Sequence, residues 1–242
     1  MDIEIKLLSK IEHDAILNAA AIYGDSFANA HDLIIFCWSF IATIKHEAFV
    51  FTLFIGQFQK SINLCLMSAL RNHEIQFNMM LRYALESAAI ACYSLYNPNQ
   101  SDYSSTNDNG CLIISGNVKS KAYKWLDENC SKFSNSMKSI KKTINESFAH
   151  SSVLGASNNI SFDGEKYGST YFDEPNKLMT QHHLWWVGDV IVGVLRNIKE
   201  IIAKYPLIKV VADFDERLSK LEFANIRIKQ DLIANPKFAK WI

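Results

Sequence analysis

Turn-forming residues are scarce in this chain, with 9 glycines and 4 prolines among 242 residues. That scarcity argues against a β-sandwich, whose tight turns rely on the positive φ of Gly and the fixed φ of Pro. Cysteine is sparse and scattered: Cys37, Cys65, Cys92, Cys111 and Cys130 form an odd set with no CxxC pair. This argues against a disulfide framework and a zinc site, and fits a reducing compartment. Net charge is absent, 25 basic side chains balancing 25 acidic ones, so no global field favours nucleic acid or a membrane. Arginine is short as well, 5 against 20 lysines, which is poor material for bidentate reading of phosphates. No Gly-rich phosphate loop, HExxH or GxSxG occurs. Leu33–Ile44 and Ala48–Phe58 are strongly apolar, but Lys45, His46 and Glu47 divide them. Neither reaches the roughly 18–20 residues of a bilayer span, so a core is expected and not a membrane hairpin. The first residues, MDIEIKLLSKIEHD, carry acids and no long apolar stretch, so no signal peptide is expected.

What is present reads as helix. Hydrophobic residues make up 49% and charged ones 21%, the composition of a folded globule. Period and breakers predict a first helix over residues 3–23, ending at Gly24, and a second from a cap at Asp32 through Ile44. A third covers 47–72, and a fourth 74–97, stopped by Pro98. Residues 98–117 form a long polar loop. Helices follow over 118–130 and 132–152, the latter striped by Phe133, Met137, Ile140, Ile144 and Phe148. Asp163-Gly164 is a hairpin turn inside a flap at about residues 158–172. Pro175 opens a long helix that Pro206 ends, and a last helix spans 211–234. The expected fold is one all-α domain over residues 1–242, a bundle of about six helices with a small β-hairpin excursion.

The run NMMLRYALESAAIACYSLYN, residues 78–97, is apolar or small almost throughout, as a helix at the centre of a bundle would be. Within it, Asn78, Arg82 and Glu86 form a polar ribbon at about 100° per residue, which Arg71 extends. Two readings stay open: an i,i+4 ion pair that is only architecture, or the lining of a polar pocket. A second polar place is INESFAHSS, where His150 lies on the flank of the apolar stripe near Asn145, Ser147 and Ser151. A flank histidine is either polar surface or a general acid/base. Ser147, His150 and Ser151 lack an orienting acid, so a hydrolase triad is not indicated.

The segments LMSALRNHEIQFNMMLRYALESA and NESFAHS, in that order, resemble the HEPN-like helical proteins over roughly residues 32–152. Many members of that group are metal-independent endoribonucleases using Arg, four to six residues, then His. His150 matches the histidine, but Lys142, Thr143, Ile144 and Asn145 occupy the positions where the arginine is expected. Without a fixed guanidinium to steady the phosphodiester transition state, the resemblance implies a non-catalytic relative. It also implies pairing with a second copy at a two-fold interface.

His182, His183 and Asp189 invite a metal reading, but adjacent helical histidines diverge and a third ligand is missing, so no metal or cofactor is expected. Lys119, Lys121, Lys124, Lys132, Lys138, Lys141 and Lys142 form either a solvated face or a positive surface beside His150 suited to RNA. Tyr123 and Trp125 are read either as stacking platforms or as core. The expected function is that of a cytoplasmic helical binding module, with RNA a possible ligand and no DNA sequence readout. The alternative is an endoribonuclease with His150, Arg82 and Glu86 as catalytic candidates and Asn78, Asn145, Ser147 and Lys142 as substrate contacts.

Overall fold

A computed structural model describes residues 5–148, 160–162 and 164–238 of the chain. Its helices are α1 (Ile5–Leu17), α2 (Ala19–Tyr23), α3 (Asp25–Ser39), α4 (Phe49–Leu70), α5 (Glu74–Tyr96), α6 (Val118–Asn129), α7 (Ser131–Ser147), α8 (Lys177–Lys204) and α9 (Phe214–Ala234). The strands are β1 (Ile41–Ile44), β2 (Ser104–Thr106), β3 (Leu112–Ile114), β4 (Ile160–Phe162), β5 (Tyr167–Ser169) and β6 (Ile208–Val210). The fold is all-α, and the strands form three antiparallel pairs, β1–β6, β2–β3 and β4–β5.

Helix α5 lies at the centre, against α4, α6, α7 and α8. Its Ala84, Ala88, Ala91 and Cys92 are fully buried, and such small side chains let neighbouring backbones come close. Phe36, Phe40, Phe51, Phe58, Phe77 and Phe214 fill the core around it. The limits of α5 follow from local chemistry. Asn72, at φ +55°, breaks α4 from α5, and the Asp173 carboxylate accepts the Glu74 N–H at 2.5 Å. Asn97 closes the other end, with Pro98 directly after it.

Among the described residues there are nine α-helices, against eight helical segments read along the sequence and a bundle expected to hold about six. The first predicted helix divides at Asn18 and ends, as expected, at Gly24, whose φ of +52° only glycine adopts without strain. Helix α3 therefore starts at Asp25, and Asp32 sits in its interior instead of capping it. The same helix ends at Ser39, five residues short of Ile44. Ile41, Thr43 and Ile44 pair with Val210, Lys209 and Ile208, and these β-branched residues suit a strand once a partner is offered. The polar loop over 98–117 is also more ordered than expected. It holds the β2–β3 ladder, and Tyr103 is buried with its hydroxyl donating to Asn97 O at 2.6 Å. The β4–β5 pair stands where the flap was expected. The end of the helix predicted over 132–152 lies partly outside the described residues.

His46–Leu70 is one continuous helical stretch long and apolar enough to cross a membrane, so length alone does not separate core from span. Phe51, Ile55, Phe58, Ile62, Cys65 and Leu66 are buried on one face against the bundle, while Phe49, Leu53, Leu64 and Met67 on the same helix are exposed.

Candidate functional site

Arg82 and Glu86 lie one turn apart on α5, as their spacing requires, and their side chains are 30% and 22% exposed. The pair itself is long, Arg82 Nε to Glu86 Oε1 being 3.7 Å. Tighter partners come from other helices. Lys119 Nζ of α6 stands 2.6 Å from Glu86 Oε1, and Lys141 Nζ of α7 stands 2.9 Å away. Three cations thus converge on one carboxylate and tie α5, α6 and α7 together. Burial pushes the Glu86 carboxyl up, but Lys119 and Lys141 outweigh it and hold it below the usual carboxylate range. Burial pulls the Lys141 ammonium down, as do Lys119 and Arg82, while Glu86 works against them.

Beside this centre a shallow groove of about 550 Å³ opens between α6 and α7, lined by Lys119, Tyr123, Lys138, Lys141, Lys142 and Asn145, among others. Lys141 Nζ lies 4.6 Å from the Tyr123 ring centroid and donates to its hydroxyl at 3.2 Å. Asn145 Oδ1 is buried and has no hydrogen-bond partner among the described residues. Lys142 is exposed and meets Glu146 only at 3.8 Å, and Lys138 meets Asp127 at 2.6 Å. Over residues 118–147 there are seven lysines and three acids in a chain with no net charge, so positive charge is concentrated in the α6–α7 segment, and four of those lysines line the groove.

The structure therefore brings together Arg82, Glu86, Lys142 and Asn145 of the sequence candidates. Asn78 is not part of the group. It is fully buried, donates to Glu74 O at 2.9 Å, and does not line the groove. His150 and the Ser147 side chain lie outside the described residues. Lys119 and Lys141 are the residues whose roles the sequence did not disclose. They belong to the lysine cluster, but nothing in local spacing pairs them with an acid on α5. Trp125 is core, 8% exposed and stacked on Tyr96 at 5.2 Å.

His183 is buried and stacked on Phe77, ring centroids 4.1 Å apart, and burial pushes its pKa down to about 3. His182 packs against Trp185, and burial lowers its pKa to about 4. Among the described residues no group of three or more His, Cys, Asp or Glu is placed to hold a metal ion. A further polar junction joins α1 to the α4–α5 corner: Glu12 meets His73 at 2.9 Å and Arg71 at 3.6 Å. Arg71 is thereby committed to α1 and does not extend the Arg82–Glu86 ribbon. Comparison with known protein families, with curated proteins and with solved structures finds no match for the chain.

Proposed function

We propose that the protein is a helical binding module whose α6–α7 groove takes the phosphate backbone of RNA without cutting it. The observation that carries this reading is the excess of cations around Glu86: Arg82, Lys119 and Lys141 share one carboxylate, with Lys138 and Lys142 at the rim. Lysines act on phosphates as point charges, so the groove suits a backbone and not the edges of particular bases. Stacking contributes little, since Trp125 is buried and the Tyr123 ring already meets Lys141. The resemblance to HEPN-like proteins, with no arginine at the motif positions before His150, agrees with binding in place of cleavage and has the module pair with a second copy, while the scattered cysteines fit action in the reducing cytoplasm. Sedimentation equilibrium should then give about twice the 27.5 kDa chain mass.

Fluorescence anisotropy with a labelled single-stranded RNA tests the ligand. Replacing Lys119 and Lys142 with Gln should weaken binding about tenfold and lower the log–log salt slope by about 0.7 per lysine. An affinity unchanged by both substitutions overturns the groove as the RNA site. If the RNA is instead cut, and His150→Ala abolishes cutting with the fold intact, the endoribonuclease reading replaces this one.

A further inference from the structure

A second cavity, of about 450 Å³, lies between the first half of α3 and the second half of α9, closed at one end by the start of α8. Its volume falls in the range of about 300–1,000 Å³ typical of small-molecule sites. Its floor is apolar: Leu178 of α8 and Leu221, Ile228 and Leu232 of α9 line it. Its walls carry charges of both signs. Asp25 and Asp32 stand on the α3 side, and Lys220, Arg227 and Asp231 on the α9 side. These charges do not close on one another. Among the described residues Asp25, Lys220, Arg227 and Asp231 have no ion-pair partner, and Asp32 meets only His31, at 3.8 Å.

The polar groups beneath the walls are built in. Ser26 and Asn29 line the cavity and are 7% and 6% exposed. The Asn29 amide meets that of Asn225 at 3.2 Å, and Trp185 Nε1 lies 3.2 Å from the Asn225 amide. Asn29 Oδ1 is buried without a hydrogen-bond partner among the described residues, so the polar layer beneath the cavity is held only by the amide contacts to Asn225. The close approach of α9 to α8 that places Asn225 there depends on Gly188, where a Cβ would run into the Asn225 side chain.

We propose that this cavity binds a free amino acid with an apolar side chain. A lone anion would face Asp25 and Asp231, and a lone cation would face Lys220 and Arg227. A zwitterion meets charges of both signs at once, its carboxylate toward Lys220 and Arg227 of α9 and its ammonium toward Asp25 and Asp32 of α3, with its side chain on the leucine floor. This site is separate from the α6–α7 groove and independent of what that groove binds.

L-leucine and L-phenylalanine are the probes, measured on the full chain by isothermal titration calorimetry alongside leucinamide, phenylalaninamide and the two N-acetyl amino acids. At least one free amino acid should bind, and blocking either its carboxylate or its amine should weaken it fivefold or more. Arg227→Gln and Asp25→Asn change exposed side chains, so the fold should hold by circular dichroism, and each should weaken the same ligand at least fivefold. No binding by either free amino acid overturns the proposal, as does a loss smaller than fivefold on blocking either end.

Discussion

Glu86 does more than the i,i+4 spacing on α5 suggests, because its strong contacts run to other helices. Glu86→Gln leaves Arg82, Lys119 and Lys141 facing one another. With a side chain 22% exposed, the expected loss lies between that of a surface pair and a buried one, about 2 kcal/mol. For a chain of this size that is about 4–8 °C in Tm. Arg82→Ala should cost less, about 0.5–1 kcal/mol, since its contact is at 3.7 Å. Thermal melts of both variants decide the matter, and an equal or larger loss for Arg82→Ala would make the local Arg82–Glu86 pair the stronger contact. The depressed Glu86 carboxyl stabilises the fold above its unfolded pKa of about 4.3, and this is lost as pH falls through the folded value. The gap between wild type and Glu86→Gln should therefore close in acid. His183 and His182 make the fold acid-sensitive over a higher range. Between an unfolded pKa of about 6.5 and their native values of about 3 and about 4, the unfolded chain holds protons that the native chain refuses. Stability falls as pH drops through that window. Glu74 works the other way, its carboxyl raised by burial and by Asp173. His183→Phe keeps an aromatic ring on Phe77 and should flatten the fall in Tm between pH 7 and pH 5, whereas an unchanged slope would clear His183 of the effect.

At the scale of elements, two helical glycines have opposite expected consequences. Gly56, within α4, has nothing within 4 Å of an added Cβ, so Gly56→Ala should stabilise by about 0.5–1 kcal/mol through helix propensity. Gly188, within α8, would drive a Cβ into Asn225 and to 3.0 Å from Leu33 Cδ1. Gly188→Ala should destabilise by about 1–3 kcal/mol despite the same propensity gain. Urea titrations of the two variants give the signs directly. Helix α5 shows what local reading achieves. An apolar run between Glu74 and Pro98 places it within a residue at its end, because both signals act on the helix termini themselves. The segment over 41–44 shows the opposite. It continues an apolar helical pattern, and only pairing with β6, far along the chain, makes it a strand.

For the whole molecule, neutrality conceals a division of charge. Seven lysines against three acids over 118–147 leave the rest of the chain acidic by the same margin. At pH 7 and low salt the protein should therefore bind a cation exchanger despite its zero net charge. Replacing Lys119, Lys138 and Lys142 together with Gln should abolish retention, and screening beyond about 0.1 M salt should weaken it in the wild type. Retention that survives the triple substitution would place the field elsewhere.

The sequence by itself determined the class of fold and the helical identity of α4, α5, α6, α7, α8 and α9, because a helix needs only its own period and end signals. It also placed Arg82 and Glu86 on one face of α5. The tertiary structure decided what Glu86 holds, since Lys119 and Lys141 reach it from helices whose approach no local pattern encodes. It decided likewise that Asn78 is core, and that aspartates of α3 face cations of α9 across a cavity. Ion pairs between helices and strand pairs between distant segments depend on where whole elements pack, and that is a property of the assembled core.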